Sequence, residues 1–316
     1  MKKVSIITPV YNGASFLPSF ISNLVDYTFQ DFEVIFIDNR SADNSLQILQ
    51  DELSKTSLDY KIVSELKPGA GYARNRGLSV AKGLYVTFID CDDSISKTKL
   101  EEDVKIMDIH QVDYVVSRTQ KIYANGKIMF PPLKGLDEGL IEPPKAGLIW
   151  LTHLSYLQGT GAILAKREVI NFLGGFHSSK TGQDAFLYIR LGLYARGYYY
   201  NKVNFTYIRH SSSAISTRNK EINGAMYSYF NLWKNLYCDE LVNGNKEAMI
   251  NLERNIQVIL LQLHISGENL KEHIDDNRLA KLKLNPLLFN KFSLFINSFL
   301  PDIKYNPFYR IWLKVR

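Results

Sequence analysis

The chain has 316 residues, 46% of them hydrophobic and 22% charged, a composition that excludes a disordered or fibrous protein and supplies a sizeable core. Two distant cysteines, Cys91 and Cys238, exclude a disulfide framework and fit a reducing compartment. The net charge of +6 is carried entirely by residues 281–316, where seven Lys/Arg face Asp302 alone.

The elements alternate from the start. Residues 4–8 read as a strand and 14–27 as an amphipathic helix; 33–37 read as a second strand, followed by a helix that Ser41 and Asp43 open and that runs to about Lys55. A strand at 60–63, a Gly-rich loop at 68–71, a helix through Ala81 and a strand ending at Asp90 complete a β-α-β-α-β-α-β run. Such alternation predicts an α/β fold with a mostly parallel central sheet, helices on both faces and the loops after each strand on one rim.

Beyond Asp93 the regularity loosens. Residues 113–117, 161–165 and 198–205 read as strands, 121–130 as a hairpin turned at Asn125-Gly126, 131–144 as an irregular loop and 184–195 as a helix. From Gly224 the pattern is helical to the end. The start breaks at Pro9, Asn12 and Gly13 before a signal-peptide core can form, and no run reaches the roughly 18 apolar residues of a membrane span, so a cytoplasmic location is expected.

The run Leu84-Tyr-Val-Thr-Phe-Ile-Asp-Cys-Asp-Asp93 is an apolar strand ending in three carboxylates, Asp90, Asp92 and Asp93. Crowded carboxylates repel and resist desolvation, so they are expected to meet a hard divalent cation. The other strand ends bring Thr8-Pro-Val-Tyr-Asn12, Asp38-Asn-Arg-Ser41 and the loop from Gly69 to Arg76 to the same rim. Tyr11 can stack on a base, Asp38 can accept hydrogen bonds from a base or ribose, and Arg74 can answer anionic or carbonyl oxygens. Singly, each has a plain structural reading: Tyr11 as a surface aromatic, Asp38 with Ser41 and Asp43 as a helix cap, Gly69 and Gly71 as turn residues. Their succession at consecutive strand ends favours a nucleotide site.

Four motifs in order, Val4-Ser-Ile-Ile-Thr-Pro-Val-Tyr-Asn12, Val34-Ile-Phe-Ile-Asp-Asn-Arg-Ser-Ala-Asp43, Ala73-Arg-Asn-Arg-Gly77 and Phe88-Ile-Asp-Cys-Asp-Asp93, resemble the nucleotide-binding half of a family 2 glycosyltransferase with the GT-A, Rossmann-like fold. The resemblance implies an enzyme of bacterial capsule, lipopolysaccharide or cell-wall type. It would transfer a sugar from a UDP-sugar or similar donor, with inversion, to a hydroxyl of a glycan or lipid-linked glycan. It further implies that Thr8, Pro9, Tyr11, Asp38 and Arg74 hold the nucleoside, that Asp90 lies near ribose and metal, and that Asp92 contacts Mn²⁺ or Mg²⁺.

Later segments continue the likeness. Leu173-Gly-Gly-Phe176 followed by Gly182-Gln-Asp-Ala-Phe-Leu-Tyr-Ile-Arg-Leu191 is similar to the family segment that carries the catalytic base, which makes Asp184 the expected base; the competing reading is a helix cap. Tyr207-Ile-Arg-His-Ser-Ser-Ser-Ala-Ile-Ser216 resembles the element whose histidine reaches the metal, so His210 is expected beside Asp92, with Arg209 or Ser213 on phosphate. Gly159, Thr160, Gly161 and Gln183 fall where the family lines the donor and acceptor pocket. The chain departs from the family at Asn39 and Arg40, where Asp-Gly is usual after Asp38, at Gln183, where Glu is usual, and by one extra residue before the last serine of the histidine element.

The expected division is a GT-A domain over 1–220, with a nucleotide-binding half (1–115) and an acceptor-binding half (116–220), then a helical extension over 221–316. Its basic, aromatic tail has Leu288, Phe292, Phe295 and Phe299 at helical spacing, which suits either peripheral contact with an anionic membrane or docking on the core. Two other classes share parts of the pattern. A nucleotidyltransferase should carry a basic Gly-rich loop after the first strand, which Tyr11-Asn-Gly13 lacks; a non-catalytic nucleotide-sugar-binding scaffold would differ only in turnover. No nucleic-acid motif is present.

Overall fold

A computed structural model describes residues 2–209, 223–266 and Leu279. The first half forms β1 (Val4–Val10), α1 (Leu17–Val25), β2 (Phe32–Asp38), α2 (Ser45–Leu53), β3 (Tyr60–Ser64), α3 (Ala70–Val80) and β4 (Tyr85–Phe88). Then come β5 (Ser94–Ile95), α4 (Lys99–His110), β6 (Tyr114–Tyr123), β7 (Ile128–Met129), β8 (Gly139–Ile141) and α5 (Lys145–Thr152). They are followed by β9 (Ile163–Lys166), α6 (Arg167–Phe172), α7 (Gln183–Tyr194) and β10 (Gly197–Arg209), and by the helices α8 (Gly224–Tyr237), α9 (Glu240–Asn243) and α10 (Lys246–Ile265).

One sheet runs in the order β3-β2-β1-β4-β9-β6-β10-β5, with β7 beside β6 and β8 beside β10. It is parallel from β3 to β4 and between β6 and β10; β9 runs antiparallel between β4 and β6 and joins the two parallel groups. The first strands are buried on both faces, as a helix-covered parallel sheet requires: Val4, Ile6, Ile7 and Val34, Ile35, Phe36, Ile37 are all inaccessible. α1 buries Leu17, Phe20, Ile21 and Leu24, one stripe at helical spacing, and a proline stands in its first turn, where the missing N–H costs nothing.

On one face, α3, α5 and α7 pack against the sheet, and α8 and α10 close over them through Trp233, Leu236, Leu252 and Ile256. The opposite face is covered by α1, α2 and α4. α4 lies in the stretch where the sequence pattern loosened. Its inward face carries Lys99 and Asp103, both wholly buried and ion-paired one turn apart, and Tyr200 of β10 donates a 2.6 Å hydrogen bond to Asp103. Two charges on the inner stripe break the apolar period that would announce a helix. The stretch read as an irregular loop contains the short strand β8, and α5 and α6 add helices beyond those expected.

Among the described residues no helix is long and apolar enough to cross a membrane. Neither Cys91 nor Cys238 forms a disulfide among the described residues. His210 and Ser213 lie outside the described residues, as does the tail with Leu288, Phe292, Phe295 and Phe299.

Candidate active site at the strand ends

The loops after β1, β2 and β3 are tied together by side chains bonding to backbone. Asn12, in the left-handed region at φ 51°, accepts from the Ala42 amide at 2.8 Å, and its own amide donates to Ser41 Oγ at 3.1 Å. Asp38 accepts from the Ser41 amide at 3.3 Å, so part of its carboxylate serves the turn that the cap reading anticipated. Asn39 donates to the carbonyls of Glu65 and Lys67, each at 2.8 Å, and accepts from the Gly69 amide at 2.8 Å. That triple role accounts for the departure at 39, because a carboxylate can take the accepted bond but not the two donated ones. Arg40 sits at φ 67°, a conformation suited to the glycine usual there. Within this frame Thr8 is fully buried with its hydroxyl unpartnered, Pro9 is half-buried, and the Tyr11 ring is 68% exposed and open to stacking.

Arg74 is the hub. α3 approaches the loop before α7 so closely that a Cβ on Gly71 would stand 2.7 Å from the His177 carbonyl oxygen. Asn75 clasps the same loop, donating to the Phe176 carbonyl and accepting from its amide, both at 2.8 Å. Arg74, only 4% exposed, donates through Nη2 to both Asp90 oxygens at 2.6 and 2.9 Å and lies 5.3 Å over the Phe176 ring. Burial opposes its charge, but Asp90 and then Asp184 outweigh burial and hold its pKa above the usual arginine value. One guanidinium therefore answers a carboxylate from the β4 end and another from the α7 start.

The ligand oxygens of Asp90, Asp92 and Asp93 lie within 4.8 Å of one another. Asp93 accepts from the Ile208 amide of β10 at 3.1 Å and so fastens the cluster to β10. Burial first, then Asp90 and Asp92, hold its carboxyl pKa well above the ordinary aspartate range. Three crowded oxygen donors in that state suit a hard divalent cation, which would relieve the repulsion.

Asp184 stands in the first turn of α7, whose N-cap is Gly182 at φ 73°, so Asp184 is not the capping residue. Beside it, the Gln183 side-chain oxygen is buried without a partner. Gly159, Thr160 and Gly161 form a tight turn beneath Phe205, where a Cβ on Gly161 would come 2.5 Å from the ring. Arg209 ends β10, stacked 5.3 Å from the Tyr123 ring with its Nε buried and unpartnered. Burial, and next Asp93, push the Tyr207 hydroxyl up to about 12.

Thus Arg74 bonds Asp90 and interacts electrostatically with Asp184, and Asp92 stands with Asp90 in the strand-end cluster. Asn75 and Phe176 lie inside Ala73–Gly77 and Leu173–Phe176, but their roles are not legible in those motifs because they depend on a contact between segments about a hundred positions apart.

The family model for glycosyl transferase family 2 matches residues 5–172, more than half of the 316. An uncharacterized glycosyltransferase of Haemophilus influenzae is 30% identical over 177 residues, 55% of this chain and 66% of that protein. The chain spans 22 to 66% of the length of the curated relatives it matches. Among solved structures, Staphylococcus aureus TarS 1-349 in complex with UDP-GlcNAc is similar with a TM-score of 0.58 at 20% identity, covering 94% of this chain and 76% of that one. The Pyrobaculum calidifontis mannosyltransferase PcManGT, in complex with GDP-Man and Mn2+, gives 0.56 at 14%, covering 94% and 87%. These likenesses carry the GT-A fold, and the match over the strand-end motifs carries the lineage: this chain belongs to glycosyl transferase family 2.

Proposed function

We propose that this chain is a metal-dependent, inverting glycosyltransferase that takes its sugar from a UDP-sugar or similar nucleotide-sugar and delivers it to a hydroxyl of a cell-surface glycan. The observation that carries the reading is Arg74, which bonds Asp90 at the strand-end cluster and interacts electrostatically with Asp184 at the head of α7. In this reading Tyr11, Asp38, Thr8, Pro9 and Arg74 hold the nucleoside, and Asp90 faces the ribose. Asp184 takes the proton of the acceptor hydroxyl as that oxygen bonds the anomeric carbon from the face opposite the departing diphosphate.

Asp92, with Asp90 and His210, would hold Mn²⁺ or Mg²⁺, which when bound offsets charge on the diphosphate. The TarS and PcManGT complexes, with UDP-GlcNAc and with GDP-Man and Mn2+, support a nucleotide-sugar donor and a divalent ion. Gly159, Thr160, Gly161 and Gln183 line the sugar pocket, and Arg209 and Ser213 face phosphate. Residues 1–220 form the transferase unit and 221–316 an extension whose basic, aromatic tail suits contact with an anionic inner membrane surface or docking on the core.

The test is UDP release from a panel of UDP-sugars, with the product's anomeric configuration read by proton NMR. Activity should vanish in chelator, return with Mn²⁺ or Mg²⁺, and give the inverted linkage. Release that ignores chelator, or a retained configuration, contradicts the reading.

A further inference from the structure

The start of α7, which carries Asp184, is not fixed by a cap. Gly182 stands at the N-cap, and no side chain bonds the free amides of the first turn there. The direction of Asp184 is therefore set by the chain that leads into it, residues 173–182. Gly174, Gly175 and Gly182 take φ values of 74°, 69° and 73°, so this connection is a series of bends with no ladder of its own to hold it.

Two helices hold it instead. α3 takes the first part, through the two 2.8 Å bonds between Asn75 and the Phe176 backbone and the close approach of Gly71 to the His177 carbonyl. α8 takes the second part. Thr181 Oγ1 donates to Ser228 Oγ at 3.0 Å, and Ser228 is only 7% exposed. One turn further along α8, Leu232 packs on Gly182, where a Cβ would lie 3.6 Å from the Leu232 Cβ. Asn235 Nδ2 lies 3.5 Å from His177 Nδ1, which also accepts from the Ser179 amide at 3.1 Å, and Ser179 Oγ donates to the Thr181 carbonyl at 3.0 Å. Ser228, Leu232 and Asn235 are spaced i, i+4 and i+7, so one face of α8 meets the connection at 177, 181 and 182.

The body of α7 is fixed by other contacts. Arg190 pairs with Asp239 at 3.4 Å, Asp239 caps α9 by accepting from the Val242 amide at 3.1 Å, and Leu187 and Leu191 are inaccessible in the core. The α8 face thus bears on the start of the helix, two and three residues before Asp184, and not on its far end.

We infer that Ser228, with Leu232 and Asn235, is a positioning residue for Asp184: the face of α8 fixes the approach to α7 and so aims the carboxylate at the acceptor hydroxyl. The inference rests on the reading of Asp184 as the base. It ties the helical extension to the reaction without requiring any of its side chains to touch substrate.

The experiment uses the full chain with Ser228→Ala, and with Thr181→Val beside Thr181→Ser, a second pair that removes or keeps the same hydroxyl. Hydrogen exchange is read at the first turn of α7, where the Phe186 amide bonds the Gly182 carbonyl at 2.9 Å. Ser228→Ala and Thr181→Val should speed it about fivefold, as for one lost hydrogen bond, and leave exchange near Arg190 unchanged. Turnover is read as UDP release from the panel of UDP-sugars with Mn²⁺, water standing in as acceptor. Both variants should lower kcat about tenfold or more, with UDP affinity within about twofold, and Thr181→Ser should stay near the parent. In an Asp184→Asn background, Ser228→Ala should change the residual turnover by less than about twofold, because no base is left to misplace.

Four results overturn the positioning role alone: unchanged exchange, unchanged kcat, a Thr181→Ser protein as slow as Thr181→Val, or an equal loss in the Asp184→Asn background, which assigns Ser228 to general stability. An Asp184→Asn protein that turns over like the parent overturns the base reading, and is recognised before any α8 variant is made. A parent that releases no UDP overturns the transferase reading and the inference together.

Discussion

The two flanks of the crevice are held by different kinds of bond. On the nucleotide side, the loops after β1, β2 and β3 are fastened by neutral or singly charged side chains bonding to backbone: Asn12 to Ala42, Asp38 to Ser41, Asn39 to Glu65, Lys67 and Gly69. On the β10 side, ionised side chains meet one another: Lys99 with Asp103, and Lys202 with Glu102. Backbone-directed bonds fix loop shape, which a nucleotide pocket needs. Side-chain charge pairs depend on both partners, so that flank is more sensitive to single changes of charge.

Stability measurements can break this contrast. The largest loss is expected at the buried pair: Lys99→Ala leaves Asp103 inaccessible and opposed only by Tyr200, and should cost about 3–5 kcal/mol in chemical denaturation. A cost near that of a surface pair would show that the β10 flank does not depend on its charges. Next is Asn39→Asp, the residue usual in the family, which loses two donated bonds and leaves two carbonyls short; about 1–3 kcal/mol is expected, with the Gly69 loop loosened in hydrogen exchange.

Asp93 gives a pH signature in chelator. Its folded pKa lies above its unfolded value, so the folded protein binds the extra proton, and stability falls as pH rises from the ordinary aspartate range through the folded pKa. Asp93→Asn keeps an acceptor for the Ile208 amide and should flatten that part of the profile of melting temperature against pH. An unchanged profile would mean that the cluster carries no such strain. The smallest effect is expected at Arg40→Gly. Relief of the left-handed backbone, roughly 1 kcal/mol, is set against the unfolded-state entropy of glycine, about 0.4–1 kcal/mol, and the two nearly cancel.

The same contrast explains what the sequence made legible. Thr8, Tyr11, Asp38 and Asp90 stand at or next to the ends of neighbouring parallel strands inside contiguous motifs, and Arg74 in the α3 that follows β3, so their placement toward one rim follows from a parallel sheet. α4 escaped notice because Lys99 and Asp103 occupy its inner stripe, and charge at those positions is satisfied only once β10 supplies Tyr200. Tyr123 and Arg209 meet through a register between distant strands, which no local pattern encodes. The antiparallel β9, inserted between β4 and β6, likewise follows from tertiary pairing and not from periodicity.

The central claim is that Asp184 and the strand-end cluster serve one reaction. Its most direct test is the turnover of Asp184→Asn at saturating donor, with UDP affinity recorded on the same protein. Turnover should fall by about 10²- to 10⁴-fold, the contribution of a general base, while UDP binds as tightly as to the parent. Turnover equal to the parent's, with UDP bound, would contradict the account.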